Sequence, residues 1–445
     1  MAAGREAPLG RVREIVAKGR LAAGLRLEEA ACLLEIDDPA DEALLFEAAR
    51  EVKERIYGKR MVLFAPLYIS NHCANDCAYC GYRHGNREMR RRRLSPDEVA
   101  GEVRALEAMG HKRLVLETGE DPVNCPLDYV LGAIETIYST RHGGGNIRRV
   151  NVNIAAATEE DYRRLKTAGI GTYILFQETY HRPTYERLHR GPKADYCWHL
   201  EAMDRAMTAG IDDVGIGVLF GLYDYRFEVL ALLHHALHLE QRFGVGPHTI
   251  SVPRLRPAPG TDVSCLGRPL SDGEFKRVVA VLRLAVPYTG LILSTRESPA
   301  LRDELLGLGI SQLSAGSRTG VGGYREGDSA SVQFAVEDNR AADEIVRSLV
   351  LSGYLPSYCT ACYRKGRTGD RFMKLAKQGL IGNVCQPNAI LTLEEYLLDY
   401  ASPATLDAGR RAIANHLEQI GSPEVKAETN RRLERIRAGE RDLYF

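Results

Sequence analysis

No run of about 18 apolar residues occurs in this chain, so no membrane-spanning helix is expected. The opening residues, Met-Ala-Ala-Gly-Arg-Glu-Ala-Pro, also lack the apolar core of a secretory leader, and a cytoplasmic location is expected. Net charge is missing too. Lys+Arg and Asp+Glu number 59 each, so no global field draws the protein to nucleic acid or to an anionic membrane, and neither is an expected partner. Cysteine is too sparse for a disulfide scaffold, at 10 in 445 residues. Six of those ten are nevertheless clustered, and in a reducing compartment clustered cysteines bind metal or do chemistry. Cys32, Cys125, Cys197 and Cys265 stand alone, behave as small hydrophobes and are assigned no role.

The pattern of apolar residues changes near position 60. Before it, Arg26–Glu35 and Ala40–Arg50 place apolar side chains at i, i+3, i+4 spacings, which predicts an N-terminal helical cap over 1–60. After it, short β-rich runs alternate with amphipathic helices, the sign of βα units on a parallel sheet. Candidate strands fall at 61–69, 113–118, 148–156, 172–177, 213–219, 248–254, 290–295 and 310–315. Eight strands close a TIM barrel, so the expected fold class is α/β, a (βα)8 barrel over 61–316 with its chemistry at the C-terminal ends of the strands. Ser95-Pro-Asp-Glu98, Thr158-Glu-Glu-Asp161 and Ser271-Asp-Gly-Glu274 have the form of helix N-caps, and Gly110, Gly169, Gly210 and Gly309 of helix stops. Residues 317–445 form a mostly helical extension. Its glycine-rich start, Arg318-Thr-Gly-Val-Gly-Gly-Tyr324, lacks the Lys-Ser/Thr of a phosphate loop and reads as a turn or lid.

The run Met61–Ile69 leads into Cys73-Ala-Asn-Asp-Cys77-Ala-Tyr-Cys80. Three thiolates within eight residues can face one inorganic centre. Structural zinc takes four closed protein ligands, so a three-cysteine loop better fits a 4Fe-4S cluster whose fourth iron stays open to a small molecule, although His72 could complete a zinc site. This Cys-x3-Cys-x2-Cys spacing, with Tyr79 before the last cysteine, resembles the signature of radical S-adenosylmethionine (radical SAM) enzymes. The resemblance implies that the open iron chelates SAM and that the cluster's electron cleaves it to a 5′-deoxyadenosyl radical.

A second set, Cys359-x2-Cys362-x22-Cys385, again leaves one metal site open. Taken alone, Cys-x2-Cys suits structural zinc as well as an iron–sulfur centre. Taken with the upstream loop, with Pro387-Asn388 and with Glu395-Tyr-Leu-Leu-Asp-Tyr400, it resembles the HydG-type tyrosine lyases that mature FeFe-hydrogenases, and the likeness runs from Met61 to about Tyr400. The related tyrosine lyases of thiamine synthesis (2-iminoacetate synthases) resemble the barrel but lack this C-terminal cysteine set.

The resemblance implies cleavage of the Cα–Cβ bond of L-tyrosine to p-cresol and dehydroglycine. Dehydroglycine would then become carbon monoxide and cyanide at an auxiliary cluster, supplying Fe(CO)(CN) units for hydrogenase assembly. Two 4Fe-4S clusters are implied, the C-terminal one with an additional labile iron and L-cysteine as a non-protein ligand. A reductant such as a ferredoxin or flavodoxin and other hydrogenase-maturation proteins are implied partners. Residue by residue, Thr118-Gly119-Glu120 matches the motif that receives the SAM ammonium, and Ser294 and Arg296 match the motif that holds the tyrosine carboxylate; a rim salt bridge is the other reading of Arg296. Asn151 and Asn153 hydrogen-bond either SAM or neighbouring backbone. His248 resembles the histidine that holds the labile iron. His234, His235 and His238 read as helix surface, and Arg90–Arg93 as a solvated face or a docking point for an acidic donor. Two other functions compete: a lyase that stops at dehydroglycine, with a second cluster that only transfers electrons, and a zinc-stabilised scaffold.

Overall fold

The protein is described by a computed structural model covering residues 10–327, 331–379 and 381–445; the leader residues just quoted lie outside that range. The barrel is built around β1, Arg60–Ser70, whose residues from Met61 onward are all buried. A strand covered on both faces must be apolar nearly throughout, which is why this run carries no alternation. β2 (Arg113–Thr118), β3 (Arg149–Asn153), β4 (Tyr173–Ile174), β5 (Val214–Gly217), β6 (Thr249–Ser251), β7 (Gly290–Leu293) and β8 (Gln312–Ser314) follow in order, each parallel to the one before. β1 pairs with both β2 and β8, so the sheet closes on itself as a (βα)8 barrel.

Several strands are shorter than the sequence predicts, because their C-terminal residues leave the ladder as the rim opens. Single bridges, Glu178 to Val218 and Phe220 to Arg254, keep the neighbours in touch there. A further strand, β9 (Leu355–Ser357), was not predicted. It pairs with Arg60–Val62 at the very start of β1, next to the β8 pairing at Val62–Phe64. The chain is thereby led to the N-terminal end of the barrel just before Cys359.

Outside the sheet, helices Arg11–Gly19, Leu27–Leu34 and Pro39–Tyr57 lie against the barrel helices Tyr225–Phe243 and Asp272–Ala285. Helices Gly382–Asp399 and Pro403–Glu418 pack on β9, the first also on β1, and Pro423–Arg437 packs on Gly382–Asp399. The caps form as the sequence predicts: Ser95 and Ser271 accept from the amides of Glu98 and Glu274, and Thr158 from Asp161. Gly110 has φ +89°, and a Cβ there would lie 2.5 Å from the Tyr396 ring, so glycine is what lets the C-terminal helix approach. Among the described residues, no helix is long and apolar enough to cross a membrane.

Candidate functional site: two cysteine-lined cavities

The loop after β1 forms one wall of a cavity of about 220 Å³ at the C-terminal mouth, lined by Cys73, Cys77, Cys80 and Tyr79 together with Thr118, Gly119, Glu120, Asn153, Ser294 and Arg296. The loop is held by its backbone. Ala74 N donates to Glu120 O at 2.7 Å, Asp76 N to Arg190 O and Ala78 N to Leu188 O at 3.0 Å, and Gly81 N to Gln333 O at 3.0 Å. Arg91 braces it from behind, donating to the carbonyls of Asn71, Tyr82 and Arg83 at 2.6–2.7 Å. Arg92 pairs with Glu98 and Glu326, and Arg93 lies over the Tyr129 ring. The reading of Arg90–Arg93 as a solvated face is therefore corrected: a buried row of carbonyls recruits one of these arginines, and carboxylates and a ring occupy two more. Gly119 touches the loop directly, since a Cβ there would lie 2.3 Å from His72 O.

Each predicted residue of this end can now be placed. Tyr79 contributes ring surface, and its hydroxyl meets His189 Nε2 at 2.8 Å. Glu120 accepts from Asn75 Nδ2 at 2.5 Å, so its carboxylate is aimed beside the cysteines. Arg296 makes no salt bridge among the described residues: its guanidinium stacks on Phe334 at 3.3 Å and reaches only the Arg254 carbonyl, at 3.5 Å. The rim salt bridge is thus not formed, and the fork is free to hold a carboxylate bidentately. Burial lowers the Arg296 pKa, although an arginine stays charged at neutral pH. The two asparagines part company. Asn153 lines the cavity, whereas Asn151 is not among its lining residues and accepts from Thr172 N at 3.0 Å through its amide oxygen, the backbone contact that the sequence offered as its other reading.

Residues that sequence reasoning missed complete this mouth. Glu117, which faces inward in line with Val115 and Arg113, lines the cavity; burial pushes its carboxyl up to about 8 against a hydrogen bond from Asn153 and the charge of Arg296. Strand alternation was the available signal. Lys193 pairs with Glu178 at 2.7 Å, and Glu178 has φ +67°, a conformation rare outside glycine.

The second set lies at the opposite end. Cys359, just after β9, Cys362 in the turn Ala361–Arg364 and Cys385 in the first turn of helix Gly382–Asp399 line a cavity of about 50 Å³ with Arg60, Arg113, Arg367, Asp213 and His248. A hydrogen bond from Cys362, helped by Arg60, Arg367 and Arg113, holds Cys385 below an ordinary thiol. His248 joins these cysteines: its ring meets Phe372 edge-on at 5.0 Å, Nδ1 is 3.6 Å from Asp213, and burial keeps the imidazole neutral and thus competent as a ligand. His234 and His238 are exposed on helix Tyr225–Phe243 as the sequence predicts, His238 meeting Asp204 at 2.8 Å, whereas His235 is half-buried against the Tyr180 hydroxyl at 2.8 Å.

The donors at both ends fit iron–sulfur chemistry. Burial, with the neighbouring cysteines and Glu178, pushes Cys80 up to about 11 and Cys77 well above an ordinary thiol, and a bound metal is what would stabilise their thiolates. At the lower end Arg60 Nε, Arg113 Nε, Arg367 Nε, Asp213 Oδ2 and Thr360 Oγ1 are buried without a protein partner, as a lining for a polar guest requires.

A closed parallel barrel with Cys-x3-Cys-x2-Cys after its first strand is the architecture of a radical SAM enzyme, and the Radical SAM superfamily profile matches residues 67–235. The Biotin and Thiamin Synthesis associated domain profile matches 251–355, ending before Cys359. Similar solved structures include the crystal structure of HydG, a maturase of the FeFe-hydrogenase, at 60% identity and TM-score 0.97 over 99% of this chain and 97% of that one. The FeFe-hydrogenase maturase HydG from Carboxydothermus hydrogenoformans follows at 43% and 0.86, covering 97% and 95%. Among curated relatives, 2-iminoacetate synthase of Escherichia coli (strain K12) is 35% identical over 336 residues, 74% of this chain and 85% of its own length. The chain belongs to the HydG family of the radical SAM superfamily.

Proposed function

We propose that this protein is a two-stage cytoplasmic enzyme. Its upper cavity cleaves L-tyrosine between Cα and Cβ to p-cresol and dehydroglycine, and its lower cavity converts dehydroglycine to carbon monoxide and cyanide for FeFe-hydrogenase maturation. The observation that carries this reading is the spacing of the cavities. Val62, Arg113, Gly290 and Gln312 line the lower one, while Phe64, Val115, Ile292 and Ser314, each two residues further along the same strand, line the upper. Two residues of strand span only ~7 Å, so one layer of side chains separates the two cavities. Part of that layer is the apolar group Phe64, Val115, Ile174 and Ile292, and at Gly215 a side chain is absent altogether: a Cβ there would lie 2.6 Å from Thr249 Oγ1.

When bound at Cys73, Cys77 and Cys80, a reduced 4Fe-4S cluster with SAM supplies the radical that starts the reaction. Thr118, Gly119, Glu120, Asn153 and Tyr79 line the place SAM would occupy. Ser294 and Arg296 hold the tyrosine carboxylate, and Glu117, beside Arg296, faces the same guest. Tyrosine has the atoms of p-cresol plus dehydroglycine, and dehydroglycine those of carbon monoxide, hydrogen cyanide and water, so neither step needs a net oxidant. Arg60, Arg113 and Arg367 draw the carboxylate of dehydroglycine to the lower end, away from bulk water. There Cys359, Cys362, Cys385 and His248 would hold the auxiliary cluster with its labile iron and L-cysteine. A ferredoxin or flavodoxin and other maturation proteins complete the scheme.

The test is anaerobic incubation of reconstituted, reduced protein with SAM and L-tyrosine, beside a Cys359→Ala/Cys362→Ala variant. The parent should yield p-cresol, cyanide and carbon monoxide, and the variant p-cresol without carbon monoxide. A parent that makes no p-cresol would overturn the tyrosine-lyase reading, and one that makes p-cresol alone would be a lyase of the 2-iminoacetate synthase kind.

A further inference from the structure

We propose that the outer face of the first cysteine loop is the docking surface for a small acidic electron-carrier protein; this rests on the reading that Cys73, Cys77 and Cys80 hold a redox cluster. The cysteines line the cavity, and of the residues between them Ala74, Asp76 and Ala78 are half-exposed while Asn75 and Tyr79 are buried, so the loop itself stands between the cysteines and solvent. On one side the loop is bonded to the segment Leu188–Arg190 through Ala78 N and Asp76 N. On the other it is bonded to the segment that folds back from Gly81, through His84 N to Asn75 O at 2.7 Å and Asn71 Nδ2 to Arg90 O at 2.9 Å.

Both flanking segments carry arginines that the fold does not use. Arg87, Arg90, Arg187 and Arg190 are exposed, and among the described residues their guanidinium groups have no hydrogen bond, ion pair or aromatic partner. The nearby acids are mostly consumed: Asp76 by Arg83, and Glu186 by Arg182. Glu88 is the exposed carboxylate on these segments that stays unpaired. In a chain whose 59 cationic side chains balance 59 anionic ones, this local surplus is a matter of position rather than composition. The bland alternative is a set of solvated arginines. Their placement on both sides of the cysteine loop favours the partner: an electron arriving from that side must cross the loop, and a basic rim steers an acidic carrier to it. The lower cysteines offer no comparable face. They sit behind helix Gly382–Asp399 and the segment from Asp442 to Phe445, which Arg364 and Arg367 bind at 2.6 Å.

The test compares two reductants on the reconstituted full-length protein and an Arg87→Glu/Arg90→Glu/Arg187→Glu/Arg190→Glu variant, reading 5′-deoxyadenosine formation from SAM. With an acidic bacterial flavodoxin and its reductase, the variant should run at least about tenfold slower, because steering is lost. With dithionite, which needs no docking surface, the two should agree within about twofold. Direct binding of the flavodoxin is measured in parallel by thermophoresis; it should weaken with added salt in the parent and be undetectable in the variant. Equal flavodoxin-driven rates in parent and variant, or parent binding insensitive to salt, would overturn the proposal. So would an equal loss with both reductants, which would make the arginines loop braces, or competition by duplex DNA, which would make the surface a nucleic-acid site. If the parent cleaves no SAM even with dithionite, the cluster assignment has failed, while the binding measurement still decides the docking surface.

Discussion

The two mouths of this barrel carry three cysteines each, in opposite electrostatic company. At the upper mouth Glu117, Glu120 and Glu178 share the cavity with Lys193 and Arg296, and about 220 Å³ is open. At the lower mouth Arg60, Arg113 and Arg367 face Asp213 around about 50 Å³. One end is the roomier and mixes carboxylates with cations, and the other is narrower in a mainly cationic setting. The cysteine donors are alike at the two ends, and the difference lies in the volume and the charge around each set; on the proposed function, that difference is what divides the labour between two chemistries.

The strongest way to break the comparison is to remove the upper mouth's grip on its guest. Arg296→Gln should lower kcat/KM for L-tyrosine by roughly 10²–10³-fold, about 3–4 kcal/mol, within the range expected when one partner of a buried, charge-assisted pair is lost. Steady-state p-cresol formation measures it, and a change under threefold would assign the carboxylate to another residue. A smaller effect is expected at the waist. Gly215→Ala places a methyl 2.6 Å from Thr249 Oγ1 and 3.1 Å from Ile174 Cγ1, narrowing the layer between the cavities. p-Cresol output should stay within about threefold while carbon monoxide falls by about tenfold or more, since overpacking of this kind costs ~1–3 kcal/mol. Parallel loss of both products would mean a damaged barrel rather than a blocked passage.

Much of this was legible because the physics involved is local. Eight runs of buried apolar residues and their helix caps specify the barrel, and cysteine spacing marks both candidate metal loops. What escaped was set by distant neighbours. Leu355-Pro-Ser357 has too few residues to show a period, and its strand exists because the start of β1 offers it a free edge. Glu117 carries no motif and matters only because the barrel closes over it. Asn151 and Asn153 are the same residue type on the same face, yet only one reaches the cavity, since the other finds the Thr172 amide first. Four consecutive arginines, 90 to 93, divide into a brace, an ion pair, a ring contact and one free charge, an outcome that composition cannot separate.

The lower mouth's charge gives a third prediction. Arg367→Gln removes one cation from beside Cys362 and Cys385 and should lower the midpoint potential of the reconstituted C-terminal centre by roughly 50–100 mV for one electron, on the order of 1–2 kcal/mol for a charge at this range. Redox titration followed by electron paramagnetic resonance reads both centres at once. The upper centre should not shift, and equal shifts at both would remove the electrostatic distinction drawn between the two ends.

The smallest effect concerns pH and the upper mouth alone. The folded protein holds the Glu117 carboxyl at about 8, well above its ordinary 4.5, because burial disfavours the charged form. The favourable contribution of the protonated group is therefore complete below about pH 4.5 and is lost as pH rises through about 8, where folding must bury a carboxylate. Glu117→Gln keeps the shape and cannot ionise, so its stability should not share that loss. Relative to the variant, the parent's thermal midpoint should drop by about 1–3 °C between pH 6 and pH 9. Parallel curves would show that Glu117 ionises at ordinary pH, and the upper cavity would then present a full carboxylate to its guest, bringing it closer to charge balance with Arg296 and further from the cationic lower end.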